Sequence, residues 1–129
     1  MKHPSLNAKT IAQDLKIMGI SSGDGVFVHA AMGAIGHVTG GAHSVVDALL
    51  STVGPRGLIG MPAFCADACF PSQVDRAEVS DVDIKDIKRS VSGFDLLRSS
   101  AAGMGIIAKT FRTWPGAIRR WGICWIAPA

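Results

Sequence analysis

An α/β layered fold is what this sequence predicts, on three observations. A helix-forming segment with its own start and stop runs from Thr10 to Gly19, and a short apolar strand follows at Val26-Phe27-Val28. Residues 26 to 61 then read as strand, glycine-rich loop, helix and strand, the unit in which a right-handed crossover joins two parallel strands. With 129 residues, 48% of them apolar and 18% charged, the chain fits a single domain with a substantial core and is not disordered.

Each element has a local reason. Thr10-Ile11-Ala12-Gln13 fits a capping box, Ile11, Leu15 and Met18 follow at helical spacing, and Gly19 suits the left-handed stop. Ser22-Gly23-Asp24-Gly25 is turn chemistry, and Val26 to Val28 is apolar on successive residues, as a strand buried on both faces would be. The loop from Ala31 to Gly41 leads to a helix expected from about His43 to Thr52, with Ser44 as N-cap and Gly54-Pro55-Arg56-Gly57 as its stop. Leu58 to Met61 reads as the next strand, ended by Pro62.

Beyond Ala63 the periodicity dissolves as far as Ser92. Between Asp67 and Asp86 six acids face Arg76 and Lys85, a net charge of −4, so residues 65–92 are expected to form an acidic flap, either functional or merely solvated. A helix is expected from Gly103 or Met104 to Phe111, burying Met104, Ile107 and Phe111. The end, Trp121 to Ala129, has the character of a buried strand with no later element to cover it.

Charge and cysteine usage narrow the function classes. The net charge of +3 comes from the segment beginning at Lys109; residues 1 to 108 carry nine Lys and Arg against ten acids. No basic stripe interleaved with aromatics crosses the body, so no nucleic-acid partner is expected. No apolar run is long enough to span a membrane, and the first residues lack a signal peptide's apolar middle, so the expected location is cytoplasmic. Cys65, Cys69 and Cys124 are then read as reduced thiols; Cys65 and Cys69 are spaced by three residues, where common zinc and redox motifs use two.

The loop after Val28 is where chemistry could sit. A glycine-rich turn between a strand's carboxyl end and a helix brings backbone amides and a helix N-terminus to bear on an anion. The spacing of Gly33, Gly36, Gly40 and Gly41 is neither the dinucleotide fingerprint nor a Walker A loop, so a tight structural turn is the alternative. His29 ends the strand, where ligands approach open α/β sheets, or else is a core histidine satisfied by backbone groups. His37 and His43 flank the glycines as secondary ligand contacts, or lie on the surface. No histidine follows His43, which leaves Asp95 as the isolated candidate base in the second half, with capping of the next segment as its other reading.

With these residues in view, the chain resembles the aminoglycoside 3-N-acetyltransferase family. Thr10 to Asp24, TIAQDLKIMGISSGD, follows the family's opening T-x-x-x-D-L-x-x-L-G-V-x-x-G-D helix; VHAAMGAIGHVTGG and ALLSTVGPRGLIGMP follow its strand end, loop and crossover. FDLLRSSAAGMGIIAKTFRTWPGA is similar to its F-D…M-G-x-I-A-x-x-F-R-x-x-P-G-A block.

The resemblance implies a three-layer α/β/α sandwich with a mostly parallel sheet, here incomplete relative to the family fold. It also implies acetyl transfer from acetyl-CoA, as cosubstrate, to the 3-amino group of an aminoglycoside antibiotic, with no metal. Carried over, the CoA-binding positions are His29, Ala30, Ala31, Met32, Gly33, Met104 and Gly105. The acidic flap, including Asp67 and Asp75, together with Asp95, offers the negative charge a polycationic sugar would meet.

Three departures accompany it. Ala30 and Ala31 replace the family's hydroxyls, and Gly33 a basic residue. The R-S-x-H-P block, whose histidine lies near the transfer site, reads Arg119-Arg120-Trp121-Gly122-Ile123, so the catalytic group is unassigned. The alternative expectation is an inactive amino-terminal fragment that binds CoA or phosphate, or self-associates through the uncovered carboxyl-terminal strand.

Overall fold

The structure, a computed structural model, describes residues 5–65, 78–91, 93–101, 103–120 and 122–127. Helix α1 spans Ala8–Ile17 and is capped by Asn7 rather than Thr10. The Thr10 amide donates to Asn7 Oδ1 (3.0 Å) and the Asn7 amide to Thr10 Oγ1 (2.9 Å), so the capping box is real but begins three residues earlier than expected. Asparagine is as good a cap as any, and starting there adds most of a turn to the helix.

Strand β1 (Gly25–Phe27) leads into the one-turn α2 (Met32–Ile35), and α3 (Gly41–Val53) returns the chain to β2 (Leu58–Ala63). Helix α3 starts two residues before the expected His43, and Ser44 does not cap it; its hydroxyl donates to the Thr39 carbonyl at 2.7 Å. Then come α4 (Asp81–Ser90), α5 (Gly105–Arg112), β3 (Ile118–Arg120) and β4 (Gly122–Ile126).

The four strands are ordered β1-β2-β4-β3. β1 and β2 are parallel, as the crossover predicts, but β2–β4 and β4–β3 are antiparallel. The α/β class therefore stands, while the expected mostly parallel sheet gives way to a mixed one. β4 lies beside β2 and runs against it, and β3, paired with β4 from Ile118↔Trp125 to Arg120↔Ile123, runs against β4 in turn. The final strand is not uncovered at its edges either: β4 lies between β2 and β3.

β2 runs two residues past its expected end. The Gly60 carbonyl accepts from the Val28 amide (2.8 Å), so residue 62, two further on, also turns its backbone toward the β1 side. β1 has already ended there, and Pro62 removes no ladder bond.

Ile59, Met61 and Cys124 lie on the sheet face that packs against α3 and α5, joined by Val46, Val53, Ile107 and Phe111 in one core. α1 packs outside on α3. The other face bears Phe27, Ile118 and Ile123, which are 58%, 46% and 43% exposed. Among the described residues the helix layer is thus built on one side only. β1, expected to be buried on both faces, buries only its Val26 and Val28 side, and in part.

The expected flap contains a regular element. α4 is capped by the Ser80 hydroxyl, has Asp81 and Asp83 in its first turn and Lys88 and Arg89 in its last, and buries no residue. Charge at each end complements the helix dipole, so local chemistry alone accounts for it. Among the described residues no helix is long and apolar enough to cross a membrane.

Candidate functional site

A cleft of about 360 Å³ opens where β1 ends. Val28, His29, Ala30 and Ala31 form one wall, and Met61 and Pro62 of β2 the floor. Gly103, Met104, Gly105 and Ala108, at the start of α5, form the opposite wall. The parallel β1–β2 pair puts both carboxyl ends at the same edge, the place where open α/β sheets take ligands.

Five of the seven coenzyme positions carried over from the family therefore meet in one cleft: His29, Ala30, Ala31, Met104 and Gly105. They come from segments more than seventy residues apart in the chain. Met32 instead packs against the core, and Gly33 is exposed on α2; neither lines the cleft. Gly36, Gly40 and Gly41 are also outside it and serve the backbone, with φ of 93°, 85° and 62°. The glycine loop is thus mainly a turn, and only its first residues reach the cleft.

His29 is exposed, with its ring centroid 6.3 Å from that of Phe27, so it is not a buried core histidine. Among the described residues lining the cleft, its imidazole is the only titratable side chain. His43 lies on α3 with its ring 5.5 Å from Trp114, and His37 is exposed; neither lines the cleft. The Asp95 carboxylate accepts from the amides of Leu97 (2.9 Å) and Arg98 (2.7 Å), the capping role that was the other reading beside a candidate base. Asp67 and Asp75 lie outside the described residues.

A second hollow of about 290 Å³ adjoins the cleft over the α5 N-terminus, sharing Gly103 and Gly105 and adding Ser100 and Lys109. Met104, the N-cap residue of α5, makes no side-chain cap hydrogen bond. Helix amides and a lysine together favour an anionic guest. The sequence marked Lys109 only as the start of the basic segment, not as a ligand contact, although it lies one helical turn after Gly105 and its motif.

Arg119 was also not singled out. It is 7% exposed, and its guanidinium donates to the carbonyls of Ser99, Ala63 (3.0 Å) and Ser100 (3.3 Å) while its Cζ lies 5.0 Å from the Phe94 ring centroid. Burial and the neighbouring Arg112 lower its pKa, opposed by Cys65 and Cys124. Burial raises the Cys124 pKa against the pull of the same two arginines. Cys65 and Cys124 are free cysteines, and Cys69 lies outside the described residues.

Ala31 is the N-cap residue of α2 and makes no side-chain cap. Ala31→Ser, which supplies the missing acceptor, is expected to add about 0.5–1 kcal/mol of stability, read by urea unfolding. A loss of stability would show that the hydroxyl cannot reach the α2 amides.

The aminoglycoside 3-N-acetyltransferase family model matches residues 27–121. The SPbeta prophage-derived aminoglycoside N(3')-acetyltransferase-like protein YokD of Bacillus subtilis is 32% identical over 108 residues, covering 83% of this chain and 40% of that protein. Aminoglycoside N(3)-acetyltransferase VIII of Streptomyces fradiae is 34% identical over 110 residues, 84% of this chain and 37% of its own.

Among solved structures, Bacillus subtilis YokD superposes with a TM-score of 0.84 at 27% identity, over 98% of this chain and 48% of that one. AAC-IIIb, solved as a binary complex with CoASH, gives 0.77 at 27%, over 96% and 47%. The chain spans about two fifths of the length of the curated relatives it matches. On the family match and these identities, this chain belongs to the aminoglycoside 3-N-acetyltransferase family.

Proposed function

We propose that the cleft binds acetyl-CoA, and that the chain is the coenzyme-holding part of an acetyl-CoA-dependent aminoglycoside 3-N-acetyltransferase conferring antibiotic resistance. The observation that carries this is the convergence of the two family motifs, His29 to Ala31 and Met104-Gly105, on opposite walls of one cleft. The apolar walls suit the pantetheine arm, and the adjoining hollow with Lys109 and the α5 amides suits the phosphates. With Ala30 and Ala31 where the family has hydroxyls, the first wall offers backbone and shape rather than side-chain hydrogen bonds. The relative AAC-IIIb, solved with CoASH, supports the ligand class.

In the transfer itself the aminoglycoside 3-amine attacks the thioester carbonyl. The C–N bond forms, the C–S bond breaks, the amine gives up a proton, and CoA leaves as its thiol. A base and an oxyanion donor are required. His29 is the titratable group at hand among the described residues that line the cleft. A location where acetyl-CoA and reduced thiols coexist, the cytoplasm, belongs to the same reading.

A second reading, CoA binding without turnover, is favoured by the absence of histidine from Arg119 to Ile123, where the family block carries one. Self-association belongs to this reading, through the exposed Phe27, Ile118 and Ile123 face rather than through the edge of β4.

Calorimetric titration with CoA is expected to give saturable one-to-one binding, weakened about three- to tenfold in Lys109→Ala, the worth of one solvent-exposed charge-assisted contact. Absence of binding by the unsubstituted chain overturns both readings. Thiol release from acetyl-CoA with an aminoglycoside panel then separates them: turnover supports the enzyme, and binding without release supports the inactive fragment.

A further inference from the structure

We propose that Arg119 is a positioning residue for the cleft, clamping the Ser99–Ser100 strap to the end of β2 and so setting the separation of the cleft's floor and α5 wall. Its guanidinium reaches two stretches of chain more than thirty residues apart. On one side it donates to the Ala63 carbonyl, two residues past the floor residue Met61; on the other it donates to the carbonyls of Ser99 and Ser100, just before Gly103 and Met104 of the wall. Arg112 adds to the hold on the same strap, donating to the Leu97 carbonyl at 3.3 Å.

The choice of residue supports a geometric task. Among the described residues no carboxylate pairs with Arg119, and its Nε is buried without a hydrogen-bond partner. A buried cation held by carbonyls and one aromatic ring, with no carboxylate partner among the described residues, is a poor device for stability, since desolvation offsets most of what these contacts return. What the planar fork supplies is direction: several donors in one rigid plane, able to fix two segments at once. A lysine ammonium at the same place has one nitrogen and cannot span both. The backbone so fixed carries Gly105, whose φ of 85° begins α5 at the cleft.

The functional meaning of the clamp rests on the cleft being the CoA site, so the experiment has two readouts. Arg119→Lys and Arg119→Met are compared with the unsubstituted chain by CoA titration and by amide hydrogen exchange. Arg119→Lys is expected to unfold cooperatively, to raise the CoA Kd about tenfold, and to speed exchange about tenfold at the amides between Ser99 and Ile107, leaving those of α1 and α3 as they were. Should Arg119→Met fail to fold, the lysine variant decides.

If the unsubstituted chain binds CoA and Arg119→Lys binds it equally well, the inference is overturned. It is also overturned if exchange rises equally in α1, α3 and the strap, the signature of a merely structural role. Should the unsubstituted chain not bind CoA, the proposed function fails separately, and localised exchange alone upholds or overturns the clamp.

Discussion

Replacing Phe111 by alanine is expected to lower the unfolding free energy by about 3–5 kcal/mol. Phe111 has no exposed surface, and it lies on the buried face of α5 with Ile107 and Ala108, where the helix meets both α3 and β2. Removing the ring leaves a void between layers that the sheet is too stiff to fill, so the loss combines transfer and cavity contributions. Against a total stability of roughly 5–15 kcal/mol this is a large fraction, and it corresponds to a Tm lower by about 10–20 °C. Urea unfolding measures it. A loss below about 1 kcal/mol would mean that α5 is not seated on the core as described, and the cleft wall it carries would be in doubt with it.

The second large effect is on binding. Ala31→Trp is expected to weaken CoA binding about a hundredfold, on the order of 2.7 kcal/mol. Ala31 lines the cleft and is exposed, so an indole there occupies ligand space without displacing the core. Stability should change little, which separates a blocked site from an unfolded one. Titration with CoA alongside thermal unfolding checks both. An unchanged Kd in a folded variant would place the coenzyme elsewhere and remove the main support for the proposed function.

Local chemistry made much of the fold legible. The spacing of Ile107 and Phe111 places α5 correctly, the β1–α3–β2 crossover follows from glycine stops and apolar runs, and a capping box does begin α1. α4 was missed although Ser80 and Asp83 form a cap signal, because a run of charges hides the periodicity of a helix that buries nothing. The antiparallel pairing of β4 escaped because a short apolar run carries no information on its partner. The reach of β2 past Pro62 depended on where a neighbouring strand happened to stop.

The candidate site divides along the same line. By itself the sequence determined the family, the motif positions and most of the local elements, α4 excepted, since these depend on residue order and short-range hydrogen bonding. Only the tertiary structure decided that His29, Ala31, Met104 and Gly105 share one cleft while Met32 and Gly33 do not. It alone showed Asp95 engaged as a cap, Lys109 at the rim, and Arg119 tying Ala63 to Ser99 and Ser100. The physical reason is range. Which side chains meet across a sheet edge depends on register and helix placement, and these arise from burying one shared core rather than from any local stretch of residues.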